Sequence, residues 1–146
     1  MKKFLIIVLF FNLSNIHAYS IEPQKFVQST VNKASQVLSK NISKEEKMNG
    51  LKIIAKKTVD ITGIGFYSLG SARKNLDDTQ KRVYFDLFEK YFLKSFSSRL
   101  AEYSNPEIEV ISKNKLNKNY TIVLSKLVAT DSRPEVKIEW RVYTKN

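Results

Sequence analysis

The sequence predicts an α+β fold in which helices come first and strands come last. Between Ile21 and Tyr103, apolar residues recur every three or four positions, which is typical of amphipathic helices. After Ser104-Asn105-Pro106, apolar residues instead alternate with polar ones, which is typical of half-buried strands. Because the two patterns occupy separate parts of the chain, we expect N-terminal helices, including one long aromatic-rich helix, packed on an antiparallel β-meander.

Residues 1–18 have the pattern of a secretory signal peptide. Met1-Lys2-Lys3 forms a charged start, an apolar run extends to Leu13, and small or polar residues continue to Ala18. The apolar run is too short to span a bilayer. Cleavage after Ala18 and cleavage after Ser20 both fit the pattern. We therefore expect a secreted protein with a single mature domain over residues 19–146.

The composition of the mature chain excludes several kinds of chemistry. The only histidine, His17, lies in the predicted signal peptide, and the chain contains no cysteine. Without imidazole and thiolate groups, triad catalysis and the usual zinc sites are disfavoured, so we predict no catalytic residues, no metal site and no cofactor.

The mature chain is strongly basic. Loss of residues 1–18 removes two lysines and no acid, which lowers the net charge from +11 to +9. The charge favours an anionic partner such as lipid head groups, which contribute about 1 kcal/mol per cation near a membrane surface. A secreted chain is not expected to meet nucleic acid.

Two helices are predicted before residue 60. Residues 21–40 place Pro23 near a first helical turn, and the apolar residues that follow have helical spacing. Ser43 and Glu46 match a capping box that opens the second helix, which extends to about Ile61. From 60 to 74, glycines interrupt the apolar residues without following a strand, which favours tight turns or short broken helices over a phosphate-binding loop.

The stretch from Asp78 to Tyr103 predicts one long helix with an aromatic side. At 100° per residue, one strip contains Phe85, Phe88, Phe92, Phe96 and Tyr103. The narrow sector predicted to face solvent contains Asp86, Lys90, Lys94 and Ser97. Aromatic residues at helical spacing usually belong to a filled core, but they also suit the wall of an apolar cavity. The residues alone leave both interpretations open.

Three strands are predicted in the C-terminal part. The first begins with Ile108 and Val110, the second alternates through Tyr120, Ile122 and Leu124, and the third alternates from Val136 to Val142. Polar turns around 114–119 and 131–134 separate them.

Two arginines lie near the aromatic residues. Arg99 falls in the aromatic sector of the long helix, and Arg73 ends the glycine-interrupted segment. We expect each to pair with a carboxylate or to cap a helix end. The alternative is that an arginine at the mouth of an apolar cavity contacts a phosphate through two hydrogen bonds.

Several features together point to a known family. They are Asp60, the run ending in Ser68-Leu69-Gly70, Thr79-Gln80, the aromatic spacing from Tyr84 to Tyr103, and Arg133-Pro134 before the alternating strand Val136-Lys137-Ile138-Glu139-Trp140-Arg141. As a set, over residues 22–143, they resemble the MlaC family of periplasmic phospholipid-binding proteins, also called the toluene-tolerance auxiliary family.

The resemblance implies a periplasmic carrier, not an enzyme, that holds phospholipid acyl chains between helices and sheet and leaves the head group towards solvent. As a monomer, it would move lipid between an outer-membrane lipoprotein complex and an inner-membrane ABC transporter. By position and face, the implied lipid-binding residues are Phe66, Leu69, Phe88, Phe92, Phe96, Val110, Ile122, Leu124, Ile138 and Trp140.

The sequence departs from the family pattern at its end. Family members continue with a Gly-Trp turn, another strand and a helical segment, whereas this sequence stops at Asn146. The resemblance therefore implies either a C-terminally truncated carrier or one for which a shorter sheet suffices, with the last strand as a sheet edge. The alternative function is a secreted α+β interaction module with a filled core that binds a protein or an anionic envelope polymer.

Overall fold

The computed structural model describes residues 21–145, so the predicted signal peptide lies outside the described residues. The helices in this part of the chain are α1 Pro23–Leu38, α2 Lys44–Thr58, α3 Ile61–Leu69, a short 3₁₀ helix Gly70–Lys74, and α4 Asp78–Leu100. The strands are β1 Ile108–Lys115, β2 Tyr120–Leu127 and β3 Val136–Tyr143, which form an antiparallel sheet in the order β1-β2-β3. The predicted α+β fold is confirmed. None of the helices within 21–145 is long and apolar enough to cross a membrane.

Capping boxes fix the starts of α2 and α4. Ser43 Oγ accepts a hydrogen bond from the Glu46 backbone N–H, and Glu46 Oε2 accepts one from the Ser43 backbone N–H. Asp77 and Gln80 form the same reciprocal pair at the start of α4. Each pair satisfies backbone donors that the helix itself leaves without partners. The capping box predicted at Ser43 is confirmed.

Helix α1 covers one face of the sheet. Its Val27 and Val31 form a buried cluster with Val123 of β2. The partly buried residues around this cluster are Phe26, Ile108, Val110, Trp140 and Val142. The order of the layers is therefore α1 on the sheet, with α2 packed on α1.

The register of the strands decides which side chains face α1. Val123 lies opposite Trp140, and because directly opposed residues share a face, Trp140 points towards α1. Ile122 lies opposite Arg141 and Leu124 opposite Glu139, so these two point to the other face. The prediction that Tyr120, Ile122 and Leu124 form the apolar phase of β2 is therefore wrong.

The structure buries the opposite phase of β2, namely Val123, Ser125 and Leu127. Ile122, Val123 and Leu124 are all apolar, so the alternation does not show which of them points into the core. The packing of α1 on the sheet buries Val123. Strand β1 contains an irregularity between Val110 and Ser112 that changes its phase midway. β1 also continues to Lys115, so the predicted turn at 114–119 begins later than expected.

Helix α4 packs on α2 and α3. Its buried residues are Leu93 and Ser97. Ser97 was predicted to face solvent, but its side chain is fully buried and its hydroxyl donates to the Leu93 carbonyl 2.6 Å away, which satisfies the polar group. The predicted helix also ends early, at Leu100, so Tyr103 lies beyond α4 and not on its aromatic strip.

Candidate functional site

A continuous row of aromatic rings runs along the side of α4 and onto α3. We call this row the aromatic ladder, and in order of contact its members are Phe66, Phe85, Tyr84, Phe88, Phe92 and Phe96. Neighbouring ring centroids are between 5.4 and 6.5 Å apart. These separations lie in the range in which aromatic pairs attract one another.

The spacing of the phenylalanines explains the ladder on α4. Phe85, Phe88, Phe92 and Phe96 are three or four residues apart, so their rings lie above one another on one side of the helix. Gly65 allows α3 to approach this side closely, since its buried Cα faces the ring of Phe88. The Tyr84 hydroxyl donates to the Gly65 carbonyl at 3.1 Å, which joins the two helices at the same point.

The aromatic side of α4 is not the side that the helix buries. Leu93 is 7% exposed and Ser97 is 0% exposed, whereas the ladder residues of α4 stay half-buried and Phe66 on α3 is 45% exposed. Phe88, Phe92 and Phe96 pack against the buried cluster of Ala55, Ile61 and Leu93 and are themselves only partly buried. The ladder is therefore an apolar surface with part of its area open.

The α1-facing side of the sheet presents a second apolar surface, which includes Trp140. The Trp140 indole Nε1–H donates to Ser125 Oγ at 2.8 Å, and Ser125 is fully buried. Val110 and Ile138 lie opposite Ser125 from either neighbouring strand, so they share this face. The side chains of Val110, Ile138 and Trp140 are half-buried.

The turn between β2 and β3 is attached to the chain just after α4. Arg133 Nη2 donates to the Glu102 carbonyl at 3.2 Å, and the Arg133 guanidinium lies 4.2 Å from the centre of the Tyr103 ring. This attachment ties the sheet to the C-terminal end of α4.

An open groove of about 520 Å³ lies between the 3₁₀ helix and the first half of α4. Its lining consists of Leu69, Ala72, Leu76, Thr79, Gln80, Val83, Tyr84 and Leu87. Val83 and Leu87 are more than half exposed although they are apolar. The prediction missed this groove apart from Leu69, and the i, i+4 spacing of Val83 and Leu87 was the signal available for it.

A sequence model of the MlaC protein matches residues 28–146. The chain belongs to the MlaC family. The predicted family resemblance is confirmed. Among solved structures, a phospholipid-binding protein from Ralstonia solanacearum, determined in complex with a phospholipid, is similar with a TM-score of 0.67 at 12% identity. The likeness covers 84% of this chain and 70% of the other, and at this identity it shows a shared fold. Comparison with curated proteins finds no matching relative.

The structure places the ten predicted lipid-binding residues of this MlaC family member in distinct locations. Phe66, Phe88, Phe92 and Phe96 come together in the aromatic ladder, and Val110, Ile138 and Trp140 come together on the α1-facing side of the sheet. Leu69 lies in the open groove. Ile122 and Leu124 lie on the opposite face of the sheet and are therefore separated from the other predicted residues.

The titratable groups with shifted pKa values lie away from the ladder. The Ser43 hydroxyl, followed by its backbone N–H, lowers the pKa of the Glu46 carboxyl through hydrogen bonds. Glu109, through a hydrogen bond and its charge, raises the pKa of the Lys126 ammonium, and Glu135 adds to this effect. Both shifts arise from structural contacts, one in a helix cap and one across the sheet. Within residues 21–145, no three acidic, histidine or cysteine side chains gather into a potential metal site.

Proposed function

We propose that this MlaC-family chain binds phospholipid and carries it as a cargo, with acyl chains lying along the aromatic ladder. The observation that carries the proposal is that α4 buries Leu93 and Ser97 and leaves its phenylalanines half-exposed. Apolar area left in water costs about 25 cal/mol per Å², and contiguous apolar surface of this kind marks a site of interaction. An acyl chain on the ladder would remove that area from water.

The length of the ladder suits an acyl chain. Phe85 and Phe96 are eleven residues apart on α4, which corresponds to about 17 Å along the helix axis at a rise of 1.5 Å per residue. The hydrocarbon core of a bilayer is about 30 Å thick, so the acyl chains of one leaflet extend over about 15 Å. A single row of rings therefore supports contact over the whole length of an acyl chain.

The sheet supplies the second set of proposed lipid contacts. Val110, Ile138 and Trp140 present apolar side chains on the face that also carries α1. The proposed lipid-binding lining therefore consists of these three residues together with Phe66, Phe88, Phe92 and Phe96. Leu69, which lies in the open groove, is proposed as a further contact beside this lining. Ile122 and Leu124 are left out because they lie on the other face of the sheet.

The family and the solved relative support the binding of phospholipid, from which the transport role is proposed. The relative from Ralstonia solanacearum is described as a phospholipid-binding protein in complex with a phospholipid. We infer that the present chain acts as a monomeric carrier and not as an enzyme, in the periplasm, after export by its predicted signal peptide. Its partners would be an outer-membrane lipoprotein complex and an inner-membrane ABC transporter of a lipid-trafficking system.

Lipid analysis of the purified protein tests the proposal. The chain would be expressed with its own signal peptide, purified from the periplasm without detergent, and extracted for mass spectrometry of lipids. We expect phospholipid in a fixed ratio to protein. A folded protein without phospholipid would contradict the proposal and would favour the interaction module with a filled core.

A further inference from the structure

Arg73 lies at the open end of the aromatic ladder. Its guanidinium carbon is 4.8 Å from the centre of the Phe66 ring, and Phe66 in turn stacks on Phe85. The guanidinium therefore continues the row of rings, held by a cation–π contact at the most exposed ring of the ladder. A ligand that lies along the ladder would reach a fixed positive charge at this end.

The hydrogen-bond donors of Arg73 are free to meet such a ligand. Its side chain is exposed and takes part in none of the ion pairs formed among residues 21–145. The two acids that follow it are already engaged, because Asp77 accepts from the Gln80 N–H and Asp78 pairs with Lys81. A guanidinium offers five N–H donors in a planar arrangement that matches two oxygens of a phosphate.

The other end of the ladder has a different character. Phe96 packs against the buried cluster of Ala55, Ile61 and Leu93. The exposed Arg99, three residues further along α4, makes no cation–π contact with a ring of the ladder among the described residues. Among the described residues, the ladder thus has a guanidinium held against one of its rings only at the Phe66 end. A ligand with an apolar tail and an anionic head would meet this fixed guanidinium when its head lies at the Phe66 end.

We propose that Arg73 binds the phosphate of the phospholipid and sets the direction in which the lipid lies on the ladder, with its head group beside Phe66 and its chain ends near Phe96. This inference rests on the proposed function and adds a head-group contact to it. The ligand group is a phosphodiester anion that is covalently attached to the apolar tails.

Binding measurements on the purified full chain test the assignment. The probes are fluorescent-acyl phosphatidylglycerol and a diacylglycerol with the same acyl chains but no phosphate. We expect Arg73→Gln to weaken binding of phosphatidylglycerol about tenfold, since a charge-assisted contact at an exposed position is lost. Binding of diacylglycerol should change less than twofold. Arg73→Lys should give an intermediate loss, because it keeps the charge without the planar donors.

Arg82→Gln is the matched control, because Arg82 is an exposed arginine on α4 that takes part in neither the ladder nor an ion pair among the described residues. It should bind both probes as the wild type does. An equal loss of both probes in Arg73→Gln, or no loss of either, would overturn the Arg73 assignment while leaving the carrier function intact. Failure of the wild type to bind phosphatidylglycerol would overturn both proposals.

Inorganic phosphate distinguishes a lipid head group from a free anion. Phosphate alone lacks tails that could lie on the ladder, so we expect it not to displace phosphatidylglycerol at low millimolar concentration. If low millimolar phosphate displaces phosphatidylglycerol from the wild type but not from Arg73→Gln, Arg73 belongs to a free-phosphate site. That result would overturn the assignment to the lipid.

Discussion

Gly65 of α3 and Phe88 of α4 are packed so closely that a methyl group on Gly65 would lie 2.9 Å from Phe88 Cδ1. The same methyl group would lie 3.3 Å from Phe85 Cδ1. The absence of a side chain at position 65 therefore sets the distance between α3 and the aromatic ladder.

Gly65→Ala is expected to push α3 away from α4 and to disturb the stacking of Phe85 and Phe88. Overpacking costs about 1–3 kcal/mol, and the gain in helix propensity offsets only part of it, so we expect a net loss of about 1–2 kcal/mol. Urea denaturation measures this loss, and lipid content measured by mass spectrometry should fall with it. Ser68→Ala, an exposed change on the same helix, should have little effect on either. An unchanged unfolding midpoint in Gly65→Ala would contradict the close packing.

Phe92→Asp is expected to abolish retention of lipid. A carboxylate in the middle of the ladder would have to lose its hydration when an acyl chain covers it, which is costly without a partner. Lys90→Asp is the matched control, because Lys90 is exposed and lies outside the ladder. We expect at least a tenfold lower phospholipid content for Phe92→Asp at equal folded fraction, as judged by circular dichroism. Equal effects of the two variants would show that the ladder is not the binding surface.

Ser125→Ala removes the partner of the Trp140 indole N–H. Because Ser125 is fully buried and Trp140 is half-buried, the N–H would lose its hydrogen bond in a poorly hydrated place, at a cost of about 1–2 kcal/mol. Trp140 is the only tryptophan, so its fluorescence reports unfolding without interference from another indole. Thr30→Ser is the control, because it keeps the hydroxyl that donates to the Phe26 carbonyl on α1, and it should leave the midpoint nearly unchanged. A Ser125→Ala protein as stable as the wild type would indicate that another group accepts from the indole.

The same fluorescence also tests the proposed lining of the sheet. Addition of phosphatidylglycerol should shift the emission of Trp140 to shorter wavelength, because an acyl chain would replace water beside the half-exposed ring. Bromine-labelled acyl chains should quench it. If saturating bromine-labelled lipid does not quench Trp140, then Trp140 is not part of the proposed site. The proposed role of the ladder would not be affected.

The stability contributed by the α2 cap should depend on pH in the acid range. Hydrogen bonds from Ser43 lower the pKa of Glu46 below its ordinary value of 4.5. The contribution is therefore complete above the unfolded pKa of 4.5 and is lost as the pH falls through the lower folded value. Glu46→Gln removes this titration, so the difference in urea midpoint between wild type and variant should shrink on acidification. A difference that is constant with pH would contradict the assigned cause.

The sequence predicted the order of elements well because local signals determine it. The Ser43 capping box and the change from helical to alternating spacing after Pro106 each depend on a few neighbouring residues. The glycine-interrupted segment forms α3 and the 3₁₀ helix, in agreement with the predicted short broken helices. The bounds of the elements differ from the prediction by a few residues, as for the end of α4 at Leu100.

The faces of the elements could not be predicted in the same way, because packing partners choose them. Helix α4 is apolar on most of its circumference, so the pattern pointed to the phenylalanines as the buried side. The helix instead buries Leu93 and Ser97, and Leu93 packs with Ala55 of α2. In β2, Ile122 and Val123 are equally apolar, and only α1 selects Val123. The separation of Ile122 and Leu124 from the other proposed site residues has the same cause.

Among the described residues, two clusters of buried side chains lie apart, one around Val123 between α1 and the sheet, and one around Leu93 between α2, α3 and α4. The close packing of α1 on α2, for example of Val37 on Gly50, joins them. The surfaces proposed to hold the cargo lie one on each side, with the ladder on the second cluster and Trp140 on the first. A guest with two tails that touched both surfaces would therefore hold the two clusters together, in addition to the packing of α1 on α2.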